Sequence, residues 1–429
     1  MEELRRIIQT EFTISNYYTE TDGTPVFVLP SNQETKASFE RLSEKLQKQN
    51  LIATLHYSSP PRREYTPPPP RESGKTERPL VLKVFPKMEE KKRKSPLWNL
   101  ALLIATVCTV TLTGYWWEEE YNWFGVLVSF LSGPWYGWFT DPALVITSYT
   151  IALLSIVGLH ELGHYLTSRR RGVDASLPFF IPGIPPIGTF GAVIFQRSPT
   201  TNRDELFDIG LMGPVTSFII AFFVAVLSVE VSPLIYPNVL YDILQLEYQL
   251  SLPVLNFLVN VYNSSPALAF LLGQYLWNPP YWPVMIIGPS PFVEPLLFSI
   301  IIPLLKPETA FSSFFVSPLY WAAWVGFLVT ALNLFPVGMF DGGHMCRAIL
   351  SRRTHYIASI IVAIIMMTIS YVYIIMAVLA LLTIRRTGHP GALDDVSPLT
   401  TSRKVIFILM MIVLVITLPP LGWSLPTAF

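Results

Sequence analysis

The sequence predicts a polytopic α-helical membrane protein with about seven transmembrane helices, a candidate re-entrant β segment and a small N-terminal soluble α/β domain. Three observations predict it. Of the 429 residues, 51% are hydrophobic and only 14% charged, with mean hydropathy +0.43, a balance that excludes an ordinary soluble globule. Charge-poor runs of bilayer length recur from Trp98 onward. Basic clusters at Lys91–Lys94, Arg169–Arg171 and Arg352–Arg353 stand at one set of run ends and Glu118–Glu120 at another, the asymmetry that orients membrane helices. With 30 basic and 30 acidic residues the formal charge is +0, so composition implies no nucleic-acid partner. Cys108 and Cys346 are too few and too far apart for a disulfide framework or a cysteine-rich metal site. The opening MEELRRIIQTEF lacks an apolar core and carries early glutamates, so neither a signal peptide nor a transit peptide is expected.

Residues 1–90 read as an accessory α/β domain on the cytosolic side. After a helix-prone start, Pro25–Leu29 reads as a strand, and Phe39, Leu42 and Leu46 recur at helical spacing. Leu51–Tyr57 and Leu80–Phe85 read as two further strands, joined by a stiff connection through Pro60-Pro61 and Pro67–Pro70. No His, Cys or acidic cluster there has ligand spacing, so this domain is expected to carry no chemistry of its own.

Residues 97–420 read as the transmembrane domain, with spans at 98–117, 143–165, 207–229, 318–336, 355–369, 371–385 and 403–419. The first follows Lys91–Lys94 and ends in aromatics before Glu118, so it runs outward; the second returns to Arg169–Arg171. The third runs outward to segment 231–317, whose charges are nearly all acidic and whose prolines and aromatics suit interfacial helices or a re-entrant pair. The fourth brings LFPVGMFDGGH back to the cytoplasmic boundary beside Arg347. Tyr356–Ile384 as a single helix would be roughly 45 Å long and would put Arg385-Arg386 outside. A hairpin near Ser370 keeps those arginines inside, and Arg403-Lys404 opens the last span. This charge pattern predicts a cytosolic N-terminus, and the expected location is the plasma membrane of a prokaryote.

The chemistry concentrates at His160-Glu161-Leu162-Gly163-His164, directly after Ala143–Leu159, a stretch without a charged residue. Residues four apart share a helix face, so both imidazoles can reach one metal ion while Glu161 lies beside it. That is the pattern of a zinc hydrolase with one ligand missing. A chance match is common in soluble helices, but here it would leave unpaired charge at membrane depth. In the metzincin layout a glycine and a third histidine would stand at 167 and 170, where this chain has Thr167 and Arg170. The third ligand then comes from Glu205, Asp208, Asp341, His344 or His389. Asp341 is first choice because its span ends at a similar depth, and His344 is second. Pro336, Gly338, Gly342 and Gly343 are expected to break the helix around it. His389 follows two arginines in a loop and reads as solvent-exposed; His355 and His56 read as boundary and strand-surface residues.

His160–His164 together with Asn333–Gly342 (NLFPVGMFDG) resemble the two signature motifs of site-2-protease-type intramembrane zinc metalloproteases, in the subgroup without an inserted PDZ domain. Further similarity covers Gly188–Ile194, Gly213-Pro214 and His389-Pro390 through Asp395, so the likeness spans roughly 140–420. It implies one Zn2+ per active site held by His160, His164 and Asp341, water activated by Glu161, and an assisting role for Asn333 toward substrate or oxyanion. Phe340 stands where a leucine is common, an apolar change without expected consequence.

Ser176–Gln196 is apolar yet too rich in proline and glycine for a helix, and non-helical backbone at such depth must face protein or a water-filled cavity. It is expected to form a re-entrant strand that pairs with an unwound substrate, with Gly191 at the contact. The expected activity is endoproteolysis of transmembrane or membrane-proximal segments whose helices can unwind, in contact with the bilayer, with a regulator able to act through the N-terminal domain. The competing class is a metal-containing transporter or an inactive protease relative. Glu161, which metal binding alone does not need, and the lack of an internal repeat argue against it.

Overall fold

The amphipathic start of the chain forms α1 (Glu2–Gln9), followed by β1 (Asn16–Thr19), β2 (Pro25–Leu29), α2 (Lys36–Gln47), β3 (Leu51–Tyr57) and β4 (Leu80–Pro86). The computed structural model describes residues 2–58, 78–87, 96–132, 141–232, 234–235, 286–287, 294–310, 313–315, 317–369, 371–387 and 389–419. The proline-rich connection, the cluster Lys91–Lys94, Ser370 and most of segment 231–317 lie outside these described residues. The four strands pair antiparallel in the order β1-β2-β4-β3. Phe39, Leu42 and Leu46 of α2 pack with Ile8, Phe27, Leu55 and Leu82 in one core, as helical spacing on one side and strand alternation on the other require.

The remaining described residues are mainly helical. They comprise α3 (Pro96–Ser132), α4 (Pro142–Arg170), the hairpin β5 (Phe179–Pro182) and β6 (Thr189–Val193), and α5 (Arg203–Val231). Short strands β7 (Leu234–Ile235), β8 (Ile286–Ile287) and β9 (Ser313–Phe315) pair in the order β7-β9-β8, and α6 (Leu296–Leu305) lies between the last two in sequence. Then come α7 (Pro318–Leu334), α8 (Asp341–Ile349), α9 (Arg352–Ile369), α10 (Tyr371–Thr387) and α11 (Thr401–Thr417). Among the described residues four helices are long and apolar enough to cross a membrane: the Pro96–Glu118 part of α3, α4, α5 and α9. Large apolar side chains stand exposed along them, among them Ile104, Leu112, Ile151, Phe223, Ile361 and Ile365, where a water-soluble protein would place polar ones. The chain is an integral membrane protein.

Several elements depart from expectation for clear reasons. Helix α3 continues through Glu118 instead of ending at Trp117, since glutamate is a strong helix former and no proline intervenes before Ser132. Gly342 and Gly343 do not break a helix; they lie inside α8, whose first residue is Asp341. Tyr356–Ile384 is indeed folded back. The Gly338 N–H donates to Ser359 Oγ at 3.2 Å, and a Cβ on Gly338 would lie 3.1 Å from the Ala380 carbonyl oxygen. In one straight helix Ser359 and Ala380 would be about 32 Å apart. Helix α7 is apolar all round because α4, α5 and α6 cover it, with Ala322, Ala323, Val325, Gly326 and Phe327 buried.

Candidate metal centre

The buried residues of α4 run Tyr149, Ala152, Leu153, Ile156, Val157, His160, Glu161 and Gly163, a stripe at three- and four-residue spacing. The histidines therefore continue the face that packs inward. Asp141 caps the helix by accepting from the Ala143 N–H, and Pro142 occupies the first turn, where its missing N–H costs nothing. On a helical wheel Glu161 is about 60° from His164 and about 100° from His160, on the same side of the axis. Glu161 is only 7% exposed.

Asp341 reaches the same place from α8. Its Oδ2 lies 3.3 Å from His160 Nε2 and 3.2 Å from His164 Nε2, and the two Nε2 atoms are 3.2 Å apart. Among the described residues this is the one group of three such side chains whose ligand atoms all lie within 4.8 Å of one another. The Asn333 amide nitrogen stands 3.4 Å from His160 Nε2.

The hydrogen bonds behind the histidines fix what those atoms present. His164 Nδ1 is 2.7 Å from the Ile209 carbonyl, which can only accept, so Nδ1 carries the proton and Nε2 of the neutral ring offers a lone pair. His160 Nδ1 is 3.1 Å from Ser217 Oγ. Thr330 spends its hydroxyl proton on the Gly326 carbonyl, and Ser217 has the Pro214 carbonyl or Thr330 Oγ1 to donate to, which leaves Ser217 Oγ to accept from His160. Two lone pairs and a carboxylate oxygen thus converge. A single proton could bridge one pair of them, but three near-equal separations match the edge of about 3.3 Å between ligand atoms around a tetrahedral ion bonded at about 2.0–2.1 Å. The donor set fits a zinc ion.

Close backbone approach makes the site possible. A Cβ on Gly213 would fall 2.0 Å from His164 Nε2, and one on Gly163 would fall 2.6 Å from the Met212 carbonyl oxygen. At Gly342 a Cβ would meet the Leu334 carbonyl oxygen at 2.0 Å, so α8 can begin beside the end of α7 only with glycine there.

The other candidate ligands stand elsewhere. Glu205 accepts from the Thr201 N–H at 2.7 Å while Asn202 accepts from the Glu205 N–H, a reciprocal cap of α5. Asp208 is paired with Arg171 and Arg403. His344 donates from Nδ1 to the Phe340 carbonyl at 2.9 Å, and its ring faces His389 at 4.6 Å. His389 is not solvent-exposed: it is 3% exposed, packed between His344 and His355, and the expectation that the preceding arginines mark a solvated loop fails because the chain folds back over α8. His355 is likewise buried, in the first turn of α9, whereas His56 is exposed on β3. Burial, reinforced by His344, His355 and Arg347, holds His389 far below the usual histidine range.

Gly191 lies in β6 with φ +94°, and a Cβ there would meet nothing within 4 Å. The hairpin packs against α4 two residues ahead of the metal ligands, Gly158 facing the Phe180 ring. Its carbonyls are satisfied by Asn99 to Pro178 at 2.8 Å, Thr109 to Gly188 at 2.8 Å and Tyr149 to Ile187 at 2.8 Å. Sequence reasoning missed Ser217, Thr330 and the contact at Gly213. The signal was present: Gly210, Gly213, Ser217, Ala221 and Ala225 form a stripe of small residues on α5, the mark of close helix approach in membranes.

The model of peptidase family M50 matches residues 148–377, which contain both histidines, Glu161 and Asp341. The chain belongs to peptidase family M50. Among relatives, a probable chloroplastic zinc metalloprotease of Arabidopsis thaliana, EGY2, is 26% identical over 199 residues, covering 46% of this chain and 28% of its own. The probable chloroplastic zinc metalloprotease EGY1 of the same plant is 28% identical over 296 residues, covering 66% of this chain and 44% of its own. A third, EGY3 of Oryza sativa subsp. japonica, is 24% identical over 297 residues, 67% of this chain and 45% of its own. The chain thus spans less than half the length of these relatives. No solved structure matches it.

Proposed function

We infer that this M50 chain is an intramembrane zinc metalloendopeptidase that hydrolyses a peptide bond in transmembrane or membrane-proximal segments of other membrane proteins. The observation that carries the reading is the meeting of His160 and His164 with Asp341, within 3.3 Å of one another, beside a buried Glu161 on apolar helices. His160 Nε2, His164 Nε2 and Asp341 Oδ2 would hold the ion; the Ile209 carbonyl and Ser217 orient the two rings. Bound zinc supplies a Lewis acid and lowers the pKa of water to about 7. Glu161 takes the proton of the attacking water at its carboxylate and returns it to the leaving amine nitrogen as the C–N bond breaks and the C–O bond forms. Asn333, whose amide nitrogen lies near His160, would donate to the scissile carbonyl oxygen. The β5–β6 hairpin receives the unwound substrate as an added strand, with Gly191 leaving room for its backbone.

The finer topology belongs to this reading too. Seven spans would use α3, α4, α5, α7, α9, α10 and α11, with residues 1–90 forming the accessory domain on the basic side. That side would be the cytosol of a prokaryotic cell, or the stroma if the chain shares the chloroplast location of its relatives. The deciding experiment is Glu161→Gln in purified, zinc-loaded protein. Cleavage of a helix reporter should fall by about 10²–10⁴-fold with one zinc per chain retained. Wild-type cleavage by the variant, or a wild-type protein that carries zinc and cuts no membrane helix, overturns the reading.

A further inference from the structure

The segment after α10 links two parts of the molecule that sequence alone keeps apart. Asp395 grips Arg347 with both carboxylate oxygens, at 2.9 and 2.8 Å, and Arg347 is 1% exposed. Arg203 at the start of α5 reaches the same Oδ1 at 3.0 Å and the Asp395 carbonyl at 2.7 Å. Arg347 lies on α8, six residues after Asp341, about 9 Å along one helix. A nine-residue helix has little stability of its own, so its neighbours set its position. Removing Asp395 would leave the Arg347 charge buried beside Arg203 without a counter-ion.

Asp395 is in turn held by the soluble domain. The Leu55 N–H on β3 donates to the Leu393 carbonyl at 2.8 Å, and the Asp395 N–H donates to the Leu55 carbonyl at 3.1 Å, so residues 393–395 extend the sheet as a parallel edge. On their other side the Leu393 and Asp394 N–H groups donate to the carbonyls of Thr200 and Thr201, each at 2.9 Å. Leu393 and Val396 pack on the core of the N-terminal domain. The start of α2 adds Thr35 to Ser397 at 2.8 Å, Lys36 to Asp204 at 2.6 Å, and Glu40 accepting from Asn202 at 2.7 Å. Backbone, apolar and hydroxyl contacts thus bear on one short strap, while Lys36 and Glu40 bear on the start of α5 beside it.

We propose that Asp395 is a positioning residue for Asp341, and that the N-terminal domain holds it there, so that the metal centre is fully formed only while that domain is docked. This rests on the metal-centre reading, and the test separates the two. In full-length protein, Lys36→Glu combined with Glu40→Lys reverses both charges of α2 that face the membrane domain without touching either core. Asp395→Asn removes the grip on Arg347, and Asp395→Glu retains its charge. Hydrogen exchange of the α8 amides reads the coupling without reference to any metal; zinc affinity, kcat and KM read its consequence. Both the double variant and Asp395→Asn should speed α8 exchange about tenfold or more, weaken zinc binding about tenfold, and lower kcat with KM within twofold. Asp395→Glu should recover most of each. Unchanged α8 exchange in either variant overturns the proposal, as does faster exchange with wild-type zinc affinity. If instead His160→Ala costs wild-type protein no metal, it is the metal-centre reading that fails, while the exchange data still report on the coupling.

Discussion

At the scale of single residues, the site depends as much on what is missing as on what is present. Gly213 lies where any side chain would occupy the position of the His164 ring. Gly213→Ala should therefore displace His164 and cost zinc affinity tenfold or more with the protein still folded; wild-type zinc affinity would sink the argument. Ser217→Ala keeps the space but removes the acceptor for His160 Nδ1, and loss of such an outer partner weakens metal binding by about 10–100-fold. The motif His160–His164 was legible because helical spacing alone puts both rings on one face. Ser217 was not, since a serine in an apolar helix looks alike whether it faces lipid or a ligand. His389 was misread for a related reason: its neighbours in sequence are charged, while its neighbours in space are two other histidines and a buried arginine. Its depressed pKa has a definite sign. The unfolded chain protonates His389 near pH 6.5 and the folded protein does so only far below, so stability is complete above about pH 6.5 and falls on acidification by at most about 1.4 kcal/mol per pH unit. The thermal midpoint should drop between pH 7.5 and 5.5, and His389→Asn should flatten that dependence; an equal slope in the variant would exclude His389 as its source.

Among the elements, α8 and the β5–β6 hairpin make opposite demands of glycine. Gly342 is needed for contact: a Cβ there would press on the Leu334 and Phe335 carbonyl oxygens, which are backbone and cannot turn away. Gly342→Ala should push α8 off the end of α7, withdraw Asp341, and remove zinc and cleavage together. Gly191 has open space instead but a left-handed φ of +94°, and on the proposed function its place on β6 would matter to a substrate rather than to the ion. Gly191→Val should keep zinc stoichiometric and lower cleavage at least tenfold; loss of both, or of neither, would remove the hairpin from substrate binding. The proline and glycine content of Ser176–Gln196 already ruled out a helix there. It could not reveal a two-stranded hairpin anchored by Asn99, Thr109 and Tyr149, because those partners lie on helices distant in sequence. In the same way the glycines around Asp341 announced a change of direction but not the short helix that starts on the aspartate itself. The contacts that bring Ser359 and Ala380 to Gly338 agree with the charge pattern, in which Arg385 and Arg386 were expected on the same side as Arg352 and Arg353.

For the whole molecule, the decisive quantity is depth. The basic end of α4, the start of α5 and the start of α11 meet at one end of the bundle, where Asp208 pairs with Arg171 and Arg403, Asp204 with Lys36 and Arg403, and the soluble domain docks. The docking was invisible in the sequence because it is made by backbone groups and by charges that, read singly, suit any cytoplasmic loop. His164 and His160 precede Arg169 by five and nine residues, so along α4 the two histidines lie about 8–14 Å from that basic end. A hydrocarbon core is about 30 Å thick. On the proposed function the centre would sit in the half of the membrane nearer the N-terminal domain, and a substrate helix would have to expose its carbonyls at that level. A transmembrane reporter carrying one Gly-Pro pair, moved stepwise along the helix, tests this directly. Cleavage should peak when the pair stands about five to nine residues from the reporter's basic flank and fall at least tenfold when it is moved to the opposite interface. Equal cleavage at every position would mean that the substrate slides freely past the site. A peak at the far interface would mean that the chain lies in the membrane the other way round.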